Sequence, residues 1–339
     1  MKAIRLIAPS QVEVADVANP VPSQGDLLID VEACGICGTD MRIFGHGSPR
    51  VQYPRTLGHE IVGTVRSAGS TQIHLVGRRI VLAPPAISCG GCEPCRTGRA
   101  NLCRNRYAYG YELDGGFAEQ LVVPEILAAH VEPAIVPDGV PSWLAALAEP
   151  ISCVLNGQER LGDVKDGWVV ILGAGFIGRA HNAISRLKGA RTVVVDPEPA
   201  RLAGIDADAT VEGGGGEAVA ERLKELVGDD LAAIVVANSS PKGNDLAMDV
   251  AIEQTRILLF AGCSDPQKGW PVNLVHYKEL QLIGSFAALP RHVQEAVELL
   301  GGPLRSLGDD VLRIGLDEVP SILTGDRLHA SAKVVAELR

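Results

Sequence analysis

The chain is 339 residues long, beyond the size at which one hydrophobic core usually stops growing, so two domains are the first expectation. Hydrophobic residues make up 46% and charged residues 21%, a globular composition, and a formal charge of −10 with a pI near 5.3 argues against nucleic acid or an anionic membrane as partner. No apolar run reaches transmembrane length and the opening residues form too short an apolar core for a signal peptide, so a cytoplasmic protein is expected.

The first 130 or so residues read as β structure. Short β-branched runs at 2–7, 11–17, 27–31, 61–67, 79–82 and 117–123, separated by Pro, Ser and Gly, predict a compact barrel or sandwich. Within it lies Cys34-Gly35-Ile36-Cys37-Gly38-Thr39-Asp40, followed by Gly58-His59-Glu60. Thiols, an imidazole and carboxylates in this span suit zinc, and no closed set of four Cys/His ligands is at hand, which points to an open site where an alcohol oxygen could bind. The bland alternative is that Cys34 and Cys37 are buried apolar thiols and His59 a turn residue.

Next come Cys89, Cys92, Cys95 and Cys103. Four thiolates at this spacing fit tetrahedral zinc in a closed, structural site; an iron–sulfur cluster is the chemical alternative, and the mixed-ligand candidate elsewhere favours zinc. In a reducing compartment, metal ligation is a better use of eight cysteines than disulfides.

From Ser142 the spacing turns helical. Pro150 breaks the run and can open a new helix, leaving Glu149 at a helix start, where a carboxylate is electrostatically favoured whatever else it does. A strand at 168–172 then leads into Gly173-Ala174-Gly175-Phe176-Ile177-Gly178, a helix at 179–188 and a strand at 191–195 ending in Asp196. This is G-x-G-x-x-G in the strand–turn–helix context that dinucleotide binding requires, with Asp196 placed to accept from the adenosine ribose and so to favour NAD over NADP. Arg191 and Arg201 flank Asp196 and soften its repulsion of a 2′-phosphate. Further parallel strands are expected at 232–237, 257–262 and 281–285, with helices at 245–254 and 291–300, and loop ends near Asn238 and Ser285 at the cofactor edge. The glycines 213–216 read as a loop. The tail, 312–339, reads as a short strand and a polar helix returning to the first domain.

These motifs, with Glu149-Pro150 and His276-Tyr277-Lys278-Glu279-Leu280, resemble the zinc-containing medium-chain dehydrogenase/reductase family over nearly the whole length, and its polyol-, sorbitol- and threonine-dehydrogenase-like branch in particular. The resemblance implies an α/β fold: a GroES-like β-barrel catalytic domain over 1–148 with both zinc sites, a Rossmann doubly wound parallel sheet over 149–288, and a segment over 289–339 that rejoins the first domain. It implies catalytic zinc on Cys37 and His59, with Glu60 or Glu149 as third ligand, structural zinc on Cys89, Cys92, Cys95 and Cys103, and Thr39 as the proton-relay hydroxyl. NAD would lie on Gly173, Gly175, Phe176, Ile177, Gly178, Asp196, Arg201 and Ser285. Three positions depart from the family pattern. Arg42 stands where a relay histidine is usual, Gly77-Arg78-Arg79-Ile80 replaces Gly-Asp-Arg-Val, and the segment after Asp196 is short.

The resulting expectation is a zinc-dependent, NAD-dependent oxidoreductase of a secondary alcohol, forming a homo-dimer or homo-tetramer. A polyol, sugar or cyclitol would suit a pocket containing Arg42, His46, Glu112 and Asp114. A threonine-like amino-alcohol is the enzymatic alternative. A non-catalytic nucleotide-binding sensor is the alternative from another class, and intact Cys37, His59 and Thr39 argue against it.

Overall fold

A computed structural model describes the whole chain except residues 84–85, 129–132, 264–270, 326–332 and 339. The chain begins with the hairpin β1 (Lys2–Ala8) and β2 (Gln11–Asp16), then β3 (Leu27–Ile36), helix α1 (Gly38–His46), β4 (Glu60–Ser67), β5 (Arg79–Leu82) and β6 (Ala86–Ile87). After the short helix α2 (Glu93–Arg96) come β7 (Tyr107–Ala108), β8 (Gln120–Val123), α3 (Glu125–Ala128), β9 (Ala134–Ile135), α4 (Ser142–Ala145) and α5 (Ala148–Leu161). The middle of the chain alternates: β10 (Trp168–Leu172), α6 (Phe176–Leu187), β11 (Arg191–Asp196), α7 (Pro199–Leu202), β12 (Ala209–Glu212), α8 (Glu217–Val227), β13 (Leu231–Val236), α9 (Pro241–Val250), β14 (Arg256–Leu259), α10 (Val272–Tyr277) and β15 (Gln281–Gly284). It closes with α11 (Pro290–Leu300), β16 (Val311–Gly315), α12 (Val319–Leu323) and β17 (Lys333–Glu337).

Two compact units result. One comprises Met1–Ser152 with Ala287–Arg339, the other Cys153–Phe286. Both 148/149, the expected limit, and 152/153 fall inside α5, and 286/287 lies two residues before the expected 288/289. Pro150 lies in the first turn of α5, where its missing N–H costs nothing, and the preceding break falls between α4 and Ala148.

The first unit is built on a seven-stranded sheet in the order β16-β17-β3-β4-β5-β9, with β8 also paired to β3. β3 is central: β4 lies along one edge, and β8 and β17 share the other. That accounts for its near-complete burial and for a composition without strict alternation. Its apolar residues, with those of β4 and β5, Phe117 and Ile322, form one core.

The second unit is a six-stranded parallel sheet in the order β12-β11-β10-β13-β14-β15, with the order reversing at β10. Strands such as WVVIL and LAAIVV are continuous apolar runs because both faces are covered, and each face has its own core. This is the doubly wound arrangement, and ligands of such sheets lie beyond the carboxyl ends of the strands, at the reversal.

Several elements differ from the sequence expectation. α9 starts at Pro241, behind the N-cap Ser240, four residues ahead of position 245, because Pro at the first helical position sets the start. β12 and α8 were not expected; β12 is a four-residue edge strand. In the tail, α12 buries Val319, Ile322 and Leu323 and so is apolar where a polar helix was expected. Part of that expectation, at 326–332 and 339, lies outside the described residues.

Candidate functional site

Strand register builds the first site. Gly35 of β3 faces Glu60 of β4, and Ile36 faces Val334 of β17. The residue that follows β3 is Cys37, the N-cap of α1, with Lys333 at the start of β17 on one side and His59-Glu60 at the start of β4 on the other. The ligand atoms of Cys37, His59 and Glu60 all lie within 4.8 Å of one another. A Cβ on Gly35 would stand 1.8 Å from Glu60 Oε2, so a larger residue there would displace the Glu60 carboxylate from the cluster.

Asp40 organises the cluster. Fully buried, it accepts hydrogen bonds from the backbone N–H of Cys37 (2.9 Å), capping α1, and of Gly58 (3.1 Å). Its Oδ1 also stands 3.5 Å from His59 Nδ1. Burial alone would push His59 down, but the charge of Asp40, aided by Cys37, raises it well above its usual value. Asp40 itself, despite burial, is held below the usual range by His59 and the two N–H donors. A field that draws a proton onto this ring favours a cation of any kind there.

Glu60 is wholly buried, with Oε1 paired to Lys333 Nζ at 2.5 Å, and Lys333 also donates to the Ile36 carbonyl at 3.0 Å. Burial opposes the charge on Lys333, yet Glu60, Cys37 and Glu149 together raise its pKa. Two polar atoms are left without a hydrogen bond in this buried place, His59 Nδ1 and Glu60 Oε2. The donor set therefore fits a metal ion with one thiolate, one imidazole and one carboxylate, the composition of an open zinc site. Glu149, in the buried first turn of α5, is not within the three-residue group. Thr39 sits half-buried in the first turn of α1, and Cys34 is a fully buried thiol whose pKa burial raises.

The pocket expected from Arg42, His46, Glu112 and Asp114 needs correction. Glu112 is bound by both arms of Arg50 at 2.7 and 2.8 Å, and Asp114 by Arg5 and Arg55 at 3.0 and 3.2 Å, so these carboxylates are committed to ion pairs. Arg42 and His46 lie one helical turn apart on the exposed face of α1.

Cys89, Cys92, Cys95 and Cys103 also converge within 4.8 Å. The sulfur–sulfur separations of 3.4, 3.5 and 3.8 Å lie at or a few tenths of an ångström below what tetrahedral zinc demands, about 3.8 Å for Zn–S bonds of about 2.3 Å. Backbone N–H donors lower Cys92 to about 6, assisting the thiolate form.

In the second unit the glycine turn follows β10. Gly173 has φ +114°, which disfavours any side chain, and a Cβ on Gly178 would lie 1.7 Å from the Gly173 carbonyl oxygen. A Cβ on Gly175 would meet nothing within 4 Å, leaving the approach to the start of α6 open. Asp196 closes β11, accepting from the N–H of Ala174 at 2.8 Å and of Glu198 at 3.0 Å. Beside it opens a cavity of about 830 Å³, lined among others by Gly173, Asp196, Arg201, Asn238, Lys242 and the glycines 213–216. Arg191 is not part of it: at the opposite end of β11 it pairs with Asp230 at 2.9 Å and stacks on Trp168. Ser285 follows β15 and accepts from Asn156 Nδ2 at 3.2 Å. Phe176 and Ile177 open α6. Sequence reading missed Lys333, Asn238's hold on the β10 carbonyl (2.9 Å to Leu172) and Lys242; the last could have been found from its place just after a Ser-Pro helix start.

Comparison with known proteins agrees with both halves. Residues 23–133 match the alcohol dehydrogenase GroES-like domain. An uncharacterised zinc-type alcohol dehydrogenase-like protein of Haemophilus influenzae is 33% identical over 96% of this chain and 94% of its own length. L-galactonate-5-dehydrogenase of Escherichia coli is 31% identical over 83% of this chain and 82% of its own. Among solved structures, one assigned as a zinc-binding dehydrogenase of Sinorhizobium meliloti, bound to NADP, superposes with a TM-score of 0.87 at 30% identity, covering 99% of both chains. With the GroES-like and Rossmann units, the two ligand clusters and these relatives together, the chain belongs to the zinc-containing medium-chain dehydrogenase/reductase family.

Proposed function

We propose that the protein oxidises a secondary alcohol, a polyol, sugar or sugar acid, with NAD as the preferred hydride acceptor. The observation that carries this reading is the meeting of Cys37, His59 and Glu60, with Glu60 Oε2 buried and lacking a hydrogen bond and the His59 ring backed by Asp40 on its Nδ1 side. Cys37, His59 and Glu60 would hold the catalytic zinc, with Glu149 as the carboxylate that takes over if Glu60 stays on Lys333, and Cys89, Cys92, Cys95 and Cys103 would hold a structural one. When bound, zinc supplies Lewis acidity at the alcohol oxygen and the nicotinamide ring accepts the hydride.

The chain's own residues do the rest. Asp40 keeps the His59 ring in one orientation, as carboxylates behind ligand histidines do. Thr39 would accept the hydroxyl proton and hand it on to a cofactor ribose hydroxyl, to His46 or to water, since the Arg42 guanidinium has N–H donors only and no acceptor to offer. The turn at Gly173, Gly175, Phe176, Ile177 and Gly178 would cradle the pyrophosphate, Asp196 and Arg201 would take the adenosine ribose, and Ser285 would serve the nicotinamide end. The L-galactonate relative supports a polyhydroxylated substrate. A cytoplasmic setting suits a chain with eight cysteines, none of them in a disulfide. No helix among the described residues is long and apolar enough to cross a membrane. A homo-dimer or homo-tetramer belongs to the same proposal, supported by the edge strand β15, which pairs with β14 alone among the described residues, and by the exposed Val272, Tyr277 and Phe286. Analytical ultracentrifugation returning a monomer would remove that part.

The test is NAD reduction against polyols, cyclitols, aldonates and amino-alcohols, with Thr39→Val beside the unmodified protein. We expect turnover with a polyol or aldonate, and a loss of roughly 10²-fold or more in kcat for Thr39→Val with cofactor affinity kept. No NAD reduction across the panel by zinc-loaded protein would overturn the reading; turnover confined to threonine would move it to the amino-alcohol class.

A further inference from the structure

The cavity beyond β11 and β13 contains a cation that the reading above leaves unused. We propose that Lys242, together with Arg201, accommodates a phosphate on the adenosine 2′-oxygen, so that the protein accepts NADP as a second cofactor beside NAD. This rests on the nicotinamide-cofactor reading, and three features of the cavity carry it.

The first is the state of Asp196. Exclusion of NADP by an acid at this position depends on a carboxylate whose charge faces the ribose freely. Here the residue is only 4% exposed, both oxygens already accept backbone N–H bonds, from Ala174 and Glu198, and the Arg201 guanidinium stands 4.0 Å from Oδ2. Its negative charge is offset on three sides. The second is the supply of positive charge. The Arg201 side chain is 54% exposed, and Lys242 is exposed with no ion pair or hydrogen bond of its side chain among the described residues. Both line the same cavity as Asp196.

The third is space. The wall between Pro197 and Lys242 is the glycine run 213–216, three of whose members have φ of +150°, +148° and +94°, which only glycine adopts readily. A Cβ on Gly214 would stand 3.6 Å from Pro197 and one on Gly215 3.4 Å from the Lys242 Cβ. With no side chain on that wall, the volume between the two cations stays open to a tetrahedral dianion, which Lys and Arg bind through charge-assisted hydrogen bonds.

The test measures binding of adenosine 2′,5′-bisphosphate and adenosine 5′-monophosphate to the zinc-loaded protein by calorimetry, for the unmodified chain, Lys242→Met and Lys242→Arg. The affinity ratio of bisphosphate to monophosphate should fall roughly five- to tenfold in Lys242→Met, be largely restored in Lys242→Arg, and shrink with added salt. An unchanged ratio in Lys242→Met overturns the proposal, as does an unmodified protein that binds the monophosphate and rejects the bisphosphate. If neither probe nor NADH binds, the nicotinamide-cofactor reading falls with it.

Discussion

Lys333 is a lysine with almost no access to water, held between a carbonyl and a carboxylate that is itself sealed off. Removing one partner from such a pair leaves a bare charge in a low-dielectric interior, at a cost of about 3–5 kcal/mol, whereas a half-exposed pair like Arg50–Glu112 is worth about 1 kcal/mol or less. Lys333→Met should therefore lower the unfolding free energy obtained from urea titration by an amount in the first range, and adding Glu60→Gln should recover most of it. A single-variant loss below about 1 kcal/mol would show that Glu60 finds another counter-charge, a metal ion being the obvious one. The two ends of this pair were not equally visible in the sequence. Glu60 stands out because it follows Gly58-His59; Lys333 sits in a tail with no motif, and only the register of β17 against β3 reveals what it faces.

At the scale of elements, α6 shows both what local patterning can tell and what it cannot. Its start is legible because the glycines of the turn have local causes, a positive φ at Gly173 and a near-contact at Gly178. Its packing is not. His181 is fully buried with Gln158 of α5 at 3.1 Å from Nδ1 and the ring of Phe260 edge-on at 4.7 Å, and burial pushes its pKa down to about 3. The imidazole is thus neutral in the folded protein, while the unfolded chain takes up a proton below about pH 6.5. Stability from this residue is complete above that pH and is lost as pH falls toward 3, at up to about 1.4 kcal/mol per unit. Denaturation at pH 7, 6, 5 and 4 should show a shallower decline for His181→Gln than for the unmodified protein; parallel curves would mean the ring is protonated in place. β12 was missed because a four-residue edge strand followed by four glycines has no periodicity to read, whereas α8 was open to reading, since its buried Ala220, Leu223 and Val227 recur at helical spacing.

For the molecule as a whole, the two units differ in what holds them. The second has two apolar cores covering both faces of its sheet. The first carries, beside its core, a loop around Cys89, Cys92, Cys95 and Cys103 in which no residue of α2 is buried, so sulfur–metal bonds are what would hold that loop in place. Metal analysis of protein prepared without chelators should find two zinc ions per chain, one retained in Cys37→Ala. Cys95→Ala should lose the other and lower the thermal midpoint. Finding a single zinc in the unmodified chain would refute the two-site arrangement. The convergence of these four sulfurs was legible in advance because they lie close in sequence and their spacing carries the geometry.

The place of β17 in the seven-stranded sheet has a consequence for how the protein is made. Glu60 and its lysine are 273 residues apart, and β17 fills the gap between β3 and β16. A chain leaving the ribosome N-terminus first exposes Cys37, His59 and Glu60 early, but the strand that covers them comes only after the whole Rossmann unit has been synthesised. Until then, the edge of β3 that β17 will occupy is open and Glu60 lacks its cation, so the nascent chain offers a thiolate, an imidazole and two carboxylates to any divalent metal in reach. Synthesis order, and not only the finished geometry, then bears on which ion the protein carries away.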